Sequence, residues 1–303
     1  MNQIDLNYKN LNYFNKHEKN SFVKTALTWN GSVTPKVLHR VLLIMIYSFL
    51  VSKINRFIPL PTLSLSPFQY TGFALSVLLV LRINAGLERW WEARKHWGQI
   101  VNQSRNLAII IYCYCSNDKE KINKILNYIS CWPYIIMSNL RNQEIHPKVY
   151  SLLDKEDIEK IIKSEHKPTL LALKIDCLIK ELRGNGLDNY SYNQAQNERF
   201  LLLDAVGACE RISSTPIPFV LAIKIRRFIL LFLILLPFCL SDKNEFYTSF
   251  ICGLVAYPLL SLDEIGIQLQ NPFSIKSLSC LPIEEICQKI YDNILKIKEY
   301  KNE

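Results

Sequence analysis

Residues 67–105, PFQYTGFALSVLLVLRINAGLERWWEARKHWGQIVNQSR, constrain the chain more than any other stretch. From Pro67 to Leu81 the run is apolar and carries no charge. At Arg82 the character changes: Arg82, Glu88, Arg89, Glu92, Arg94 and Lys95 gather around Trp90, Trp91 and Trp97. No proline follows Pro67 in this stretch, so one helix can begin in hydrocarbon and end in water.

Composition agrees with a chain of mixed solvent. Hydrophobic residues make up 49% of the 303, yet the mean hydropathy is only +0.06, as a few spanning helices averaged with a sizeable polar part would give. Lys plus Arg exceed Asp plus Glu by 36 − 27 = 9. Such an excess suits nucleic acid or the cytoplasmic side of a membrane. The apolar runs favour the membrane, and no base-reading or RNA-binding motif is present, so no nucleic-acid partner is expected. With only nine glycines, the chain reads as all-α rather than as a β-barrel.

Nine cysteines without a C-x-x-C pair argue against a disulfide framework and against a zinc site. Cys113 and Cys115 are too close for the usual zinc-ligand spacing, and the five histidines form no H-E-x-x-H pattern. Neither metal nor cofactor is expected. Gly184 and Gly186 open no phosphate-binding loop, and nothing resembles a nucleophile elbow. Glu88 and Glu92 lie four apart on one helix face near Arg89 and Arg94, a pattern that reads as salt bridging. No catalytic residue is assigned.

Taken in order, residues 1–33 are polar and lack a signal-peptide pattern. A first span reads from Pro35 to Phe57, with His39 and Arg40 at one end and Lys53 and Arg56 at the other. The second begins at Pro67. It crosses only if extended through Arg82 and Asn84, which then need protein or water around them, unless Arg82 snorkels to the headgroups. From Asn106 to Thr215 the pattern is that of stacked soluble helices: around Ile122–Ile129, around Leu170–Leu182 with RGNG (183–186) as a stop, and over Asn197–Arg211. A third span reads from Ile217 to Leu240, with Lys224, Arg226 and Arg227 at one end. After a loop at 242–246, a fourth has its core at Phe250–Leu262, followed by Asp263 and Glu264. A last helix reads from Ile283 to Ile297, with Glu284 and Glu285 in its first turn. The Lys/Arg distribution places both termini and the middle region in the cytoplasm. Lys224, Arg226 and Arg227 do not repeat at every third position, so no voltage-sensor pattern is present.

On the second span Phe73, Val77 and Leu81 fall at i, i+4 and i+8, with Gln69 at the outer end. Any apolar helix contains such stripes, and spacing alone does not choose this face.

The stretch from Ser66 to Ala108 resembles the bestrophin family in its bacterial and plant branch. The marks are Leu81-Arg82, Asn84-Ala85, Arg89-Trp90-Trp91-Glu92-Ala93-Arg94, Trp97-Gly98 and Ser104-Arg105. Glu210-Arg211-Ile212, Thr215-Pro216-Ile217-Pro218-Phe219 and Asn271-Pro272-Phe273 are similar to further blocks of that family. The resemblance implies a four-span protomer with a helical cytosolic domain, assembled as a homopentamer around one pore. It implies a neck at Phe73, Val77 and Leu81 and a cytosolic aperture at Ile217; Gln69, at the outer end of the stripe, and Arg82, an ionisable residue within the span, are read as polar residues associated with the pore. Segments then read as 1–33, a cytosolic N-terminus; 34–105, two spans and the polar stem of the pore helix; 106–215, the cytosolic domain; 216–265, two further spans; and 266–303, a C-terminal helix and tail. The expected partners are other copies of the chain, the lipid bilayer and permeant inorganic ions, in a cell membrane or a thylakoid.

The chain departs from the animal members in two places. The neck holds a single Phe, and SIKSLSC after Phe273 offers no carboxylate where they carry a calcium-binding acidic run. Chloride is the preferred ion and a cation channel of the same fold the near alternative. The cationic cluster leans towards anions, and it also obeys the positive-inside rule. A non-conducting membrane-anchored scaffold is the alternative from another class, and a soluble enzyme is a distant third. A scaffold would bury Phe73, Val77 and Leu81 between the helices of one subunit.

Overall fold

A computed structural model describes residues 22–115, 118–183, 186–240 and 244–300. Residues 1–21 of the N-terminal segment, 184–185 of the RGNG stop, 241–243 of the loop before the fourth span, and 301–303 of the tail lie outside the described residues. The named elements among the described residues are all helices: α1 (Phe22–Ala26), α2 (Thr34–Phe57), α3 (Leu65–Tyr114), α4 (Lys119–Leu140), α5 (Pro147–Leu152), α6 (Lys155–Lys163), α7 (Lys167–Leu182), α8 (Asn189–Ser214), α9 (Phe219–Cys239), α10 (Glu245–Gln268) and α11 (Ile283–Glu299).

The chain divides into two compact units, one of Met1–Trp90 with Pro216–Cys280 and one of Trp91–Thr215 with Leu281–Glu303. The division within α3 therefore falls after Trp90 rather than at 105. Ala93, Trp97, Ile100, Leu107 and Ile111, at helical spacing, are already buried in the second unit's core. Residues 266–280 likewise belong with the spans rather than with the tail.

In the first unit, α2, α3 and α10 are long and apolar enough to cross a membrane. The fourth long helix of that unit, α9, is equally apolar from Phe228 onward but carries Lys224, Arg226 and Arg227 before it. It starts at Phe219 rather than at Ile217. Pro218, at ψ 120°, holds extended backbone at the cap, and a residue that precedes proline is sterically kept out of the helical region. The α10 helix continues past Asp263 and Glu264 to Gln268, so those two acids sit inside the helix.

Leu75 and Leu79 of α3 pack with Ile225, Ile229 and Leu233 of α9 and Ala256 of α10. Close approach of α2 and α10 depends on Gly253, where a Cβ would stand 2.7 Å from Met45 Cγ. Small residues at helix contacts permit such approach where lipid supplies no hydrophobic drive. Ser249 Oγ donates to the Met45 carbonyl at 2.8 Å, and Tyr47 OH donates to the Ile234 carbonyl at 3.1 Å.

One end of this bundle is braced by charge. Arg82, 2% exposed, is ion-paired with the equally buried Asp263, and Arg226 Nε donates to the other carboxylate oxygen at 3.2 Å. The Arg82 stem lies over Gly266, where a Cβ would come within 3.2 Å of Nε. Glu264 is buried beside it, with Lys36 Nζ and Arg40 Nη1 each at 3.9 Å, and it accepts from Gln268 Nε2 at 2.7 Å.

The second unit is built around α4, whose Ile125, Leu126, Ile129, Trp132, Ile135 and Ile136 are buried. It packs against α7, α8 and α11. Its helices are capped locally: Asp118 Oδ1 accepts from Lys121 N at 3.1 Å and Asp188 Oδ1 from Ser191 N at 2.6 Å. The short α5 and α6 between the expected helices show too few turns to register as a period. Asp157 on α6 is nearly buried, accepts from the Tyr128 hydroxyl and the Lys174 ammonium, and has Lys124 Nζ at 3.6 Å. Burial pushes its pKa up, but the bonds from Lys174 and Tyr128, with the nearby cations, outweigh this and hold it below the usual carboxylate range.

Two outcomes are expected. Asp263→Asn strands a buried guanidinium and should cost about 3–5 kcal/mol, seen as a lower Tm in detergent. Replacing both partners by apolar residues, Arg82→Met with Asp263→Leu, should restore most of the loss. An Asp263→Asn protein as stable as the parent would show that the pair is dispensable. Asp157→Asn should cost about 1–3 kcal/mol at neutral pH. A depressed folded pKa stabilises above the unfolded value and ceases to do so as pH falls through the folded one. The gap between variant and parent should therefore close on acidification, and a gap independent of pH would contradict the assignment.

Candidate pore-facing surface

The packing of α3 sorts its side chains into two faces. Leu75, Leu79 and Arg82 are buried against α9 and α10. Phe73, Val77 and Leu81 lie on the other side, 74%, 44% and 59% exposed. Each step of four residues advances the direction by only about 40°, so the three form one apolar line along the helix. Gln69, also exposed, lies one turn before Phe73 in the same line. None of the three apolar residues is buried between helices of the protomer. An exposed line of large apolar side chains faces lipid, another subunit or a shared axis.

Arg82 does not join this line. Its side chain is buried on the opposite side of α3, tied to Asp263, because a charge in an apolar bundle needs a counter-charge and α10 supplies one. It is a packing residue of the protomer rather than a pore-side polar group or a headgroup-level side chain. Asp263 and Glu264 are the polar residues that the reading of single spans leaves without a role. Their signal is an arginine and two carboxylates at the ends of different apolar runs. Ile217 is half-buried in the connection of residues 215–218.

The tryptophan-rich stem is anchored within the first unit through the loop after α10. Arg89 Nε donates to the Gln270 carbonyl at 3.2 Å, and Trp90 Nε1 to the Ser279 carbonyl at 2.7 Å. Asn271 Oδ1 accepts from the backbone N–H groups of Phe273 at 3.1 Å and Ser274 at 3.2 Å, and Phe273 is fully buried. The Asn-Pro-Phe block is thus a self-closed turn pinned by an aromatic anchor. Leu278 N donates to Gln268 Oε1 at 2.9 Å, which folds SIKSLSC back on the helix end.

The second family-like block braces the second unit. Glu210 accepts from Asn139 Nδ2 at 2.9 Å and faces His166 Nε2 at 3.0 Å. Arg211 Nη2 stands 3.8 Å from Glu92 Oε1, so Glu92 is met from another helix, α8, and the salt bridging read for Glu88 does not form among the described residues. The cysteines are free. Burial raises the thiols of Cys131 and Cys209 to about 12, which keeps them protonated and unreactive. Among the described residues no group of three or more His, Cys, Asp or Glu is placed to hold a metal ion.

A family model described as bacterial/fungal bestrophin protein matches residues 14–296. The voltage-dependent anion channel-forming protein sll1024 of Synechocystis sp. is 29% identical over 292 residues, covering 94% of this chain and 95% of that protein. The voltage-dependent anion channel-forming protein YneE of Escherichia coli is 30% identical over 284 residues, covering 92% of each. Among solved structures, a bacterial bestrophin homologue from Klebsiella pneumoniae superposes with a TM-score of 0.79 at 26% identity, covering 86% of this chain and 98% of that one. A single-site variant of the Klebsiella homologue gives 0.80 at 25% identity, covering 87% and 99%. With all its named elements helical among the described residues, its tryptophan stem and Asn-Pro-Phe turn in place, and a family model matching residues 14–296, the chain belongs to the bestrophin family.

Proposed function

We propose that the protein is a homopentameric channel that passes ions passively across a membrane, anions such as chloride before cations. Five copies of α3 line the axis, with Phe73, Val77 and Leu81 as rings of a hydrophobic neck and Ile217 as a second, cytosolic aperture. The observation that carries this reading is the exposure of the Phe73–Val77–Leu81 line on a helix whose opposite side packs Leu75 and Leu79 against α9 and α10. A scaffold that buries this line between the helices of one subunit does not fit its exposure. Relatives named as anion channel-forming proteins support the preference for anions.

The physics of such a neck follows from its lining. A narrow ring of apolar side chains sheds water and blocks ions, and a wider ring wets and conducts. Passage strips part of the hydration shell, which costs less for large, weakly hydrated anions. The positive edge of the Phe73 ring adds a small preference of the same sign. The Lys/Arg bias supports a cell-membrane location with both termini in the cytoplasm, a thylakoid being the alternative. No step of this scheme calls for a catalytic group.

The test is flux in liposomes made with the purified protein, read for chloride and for sodium. Leu81→Ala and Ile217→Ala each widen a ring and should raise flux severalfold, while Leu75→Ala, on the packed face, should lower thermal stability instead. A protein that carries neither ion, with both ring variants silent, would sink the channel reading. Reversal potentials under a salt gradient give the sign of selectivity.

A further inference from the structure

The described acids of the first unit are Glu88, Glu245, Asp263 and Glu264. Three of them are spoken for. Glu245 meets Arg56 at 3.4 Å, Asp263 holds Arg82 and Arg226, and Glu264 is flanked by Lys36 and Arg40. Glu88 alone, among these described acids, has neither an ion pair nor a hydrogen bond from its side chain, and it is exposed. Its neighbour Arg89 turns away to the Gln270 carbonyl. Glu92, one turn on, is paired with Arg211 and His96.

The direction of Glu88 is set by the helix. Seven residues, about two turns, separate it from Leu81, so it points within roughly 20° of Leu81 and lies roughly 10 Å further along α3. Asn84 stands between them in the same sector and is also exposed. The apolar line of Phe73, Val77 and Leu81 thus continues into an amide and then into an unpaired carboxylate.

Resting on the pentameric-pore reading, we propose that Glu88 is a selectivity-determining residue, five carboxylates forming a ring at the inner end of the neck. A carboxylate ring concentrates cations and repels anions in the path, as in cation-selective filters. It opposes the anion preference of the apolar neck, so the chain passes cations alongside chloride. The ratio of chloride to potassium permeability is held down by this one side chain. The next charges near this direction, Glu92, which is paired with Arg211 and His96, and Lys95, of opposite sign, belong to the second unit and are left unchanged in the test.

The experiment measures reversal potentials of the full-length protein in planar bilayers under a potassium chloride gradient. Glu88→Gln should raise the chloride-to-potassium permeability ratio by about threefold or more, and Glu88→Lys should move it further in the same direction. The parent protein supplies an independent reading. Raising the overall ionic strength at a fixed gradient screens the ring and should raise its ratio towards that of Glu88→Gln. A ratio unchanged in Glu88→Gln, or a parent ratio indifferent to ionic strength, overturns the proposal while leaving the channel reading intact. No current in the parent, with Leu81→Ala silent as well, removes the pore itself and the ring with it.

Discussion

The Arg82–Asp263 ion pair sets the rotation of the longest helix. A guanidinium placed among apolar helices is tolerable only with its counter-charge at contact distance, and that counter-charge is fixed on α10. Once Arg82 points at Asp263, Leu75 and Leu79 must face α9 and α10, because residues three, four and seven apart share a helix face. Phe73, Val77 and Leu81 are then turned outward. The identity of the outward face is therefore a consequence of polar packing on the inward one. Gly266 belongs to the same device, since the arginine stem occupies the space a side chain would need.

Charge in the first unit follows one economy. Carboxylates that brace helices are each met by at least one cation: Glu264 by Lys36 and Arg40 from α2, Asp263 by Arg82 from α3 and Arg226 from α9. Part of the positive excess is thus structural, satisfying α10 rather than facing a permeant ion. Against that background an exposed carboxylate without a partner is conspicuous, and it stands in line with Phe73, Val77 and Leu81. The second unit works differently. It buries aromatic and aliphatic side chains of α4 and the latter part of α3, and places its ionic clusters, such as Asp157 with Lys174 and Tyr128, at helix junctions.

Much of this was legible in the residues. The abrupt change at Arg82, the absence of proline from the stretch after Pro67 and the low glycine content were enough for one long helix passing from an apolar to a polar setting. The amphipathic helices of the second unit around Ile122–Ile129, Leu170–Leu182 and Asn197–Arg211 followed from their 3.6-residue period. What misled was locality. Pro218 moved the start of α9 because a proline acts on the residue before it, and α3 joins the second core earlier than its charge content suggests because Trp97 and Ile100 pack among its charged neighbours. Arg82 was misplaced because its partner is distant in sequence, and no periodicity within one helix reports a contact with another.

The sequence by itself determined the helical class, the apolar runs and the presence of a stripe at Phe73, Val77 and Leu81, since these depend on the period of a helix and on transfer free energies of side chains. Only the tertiary structure decided which side of α3 that stripe occupies, that Arg82 is buried away from it, and that Glu88 is left unpaired. Those outcomes depend on the rotation of one helix against its neighbours, and that rotation is set by which groups find partners across the bundle.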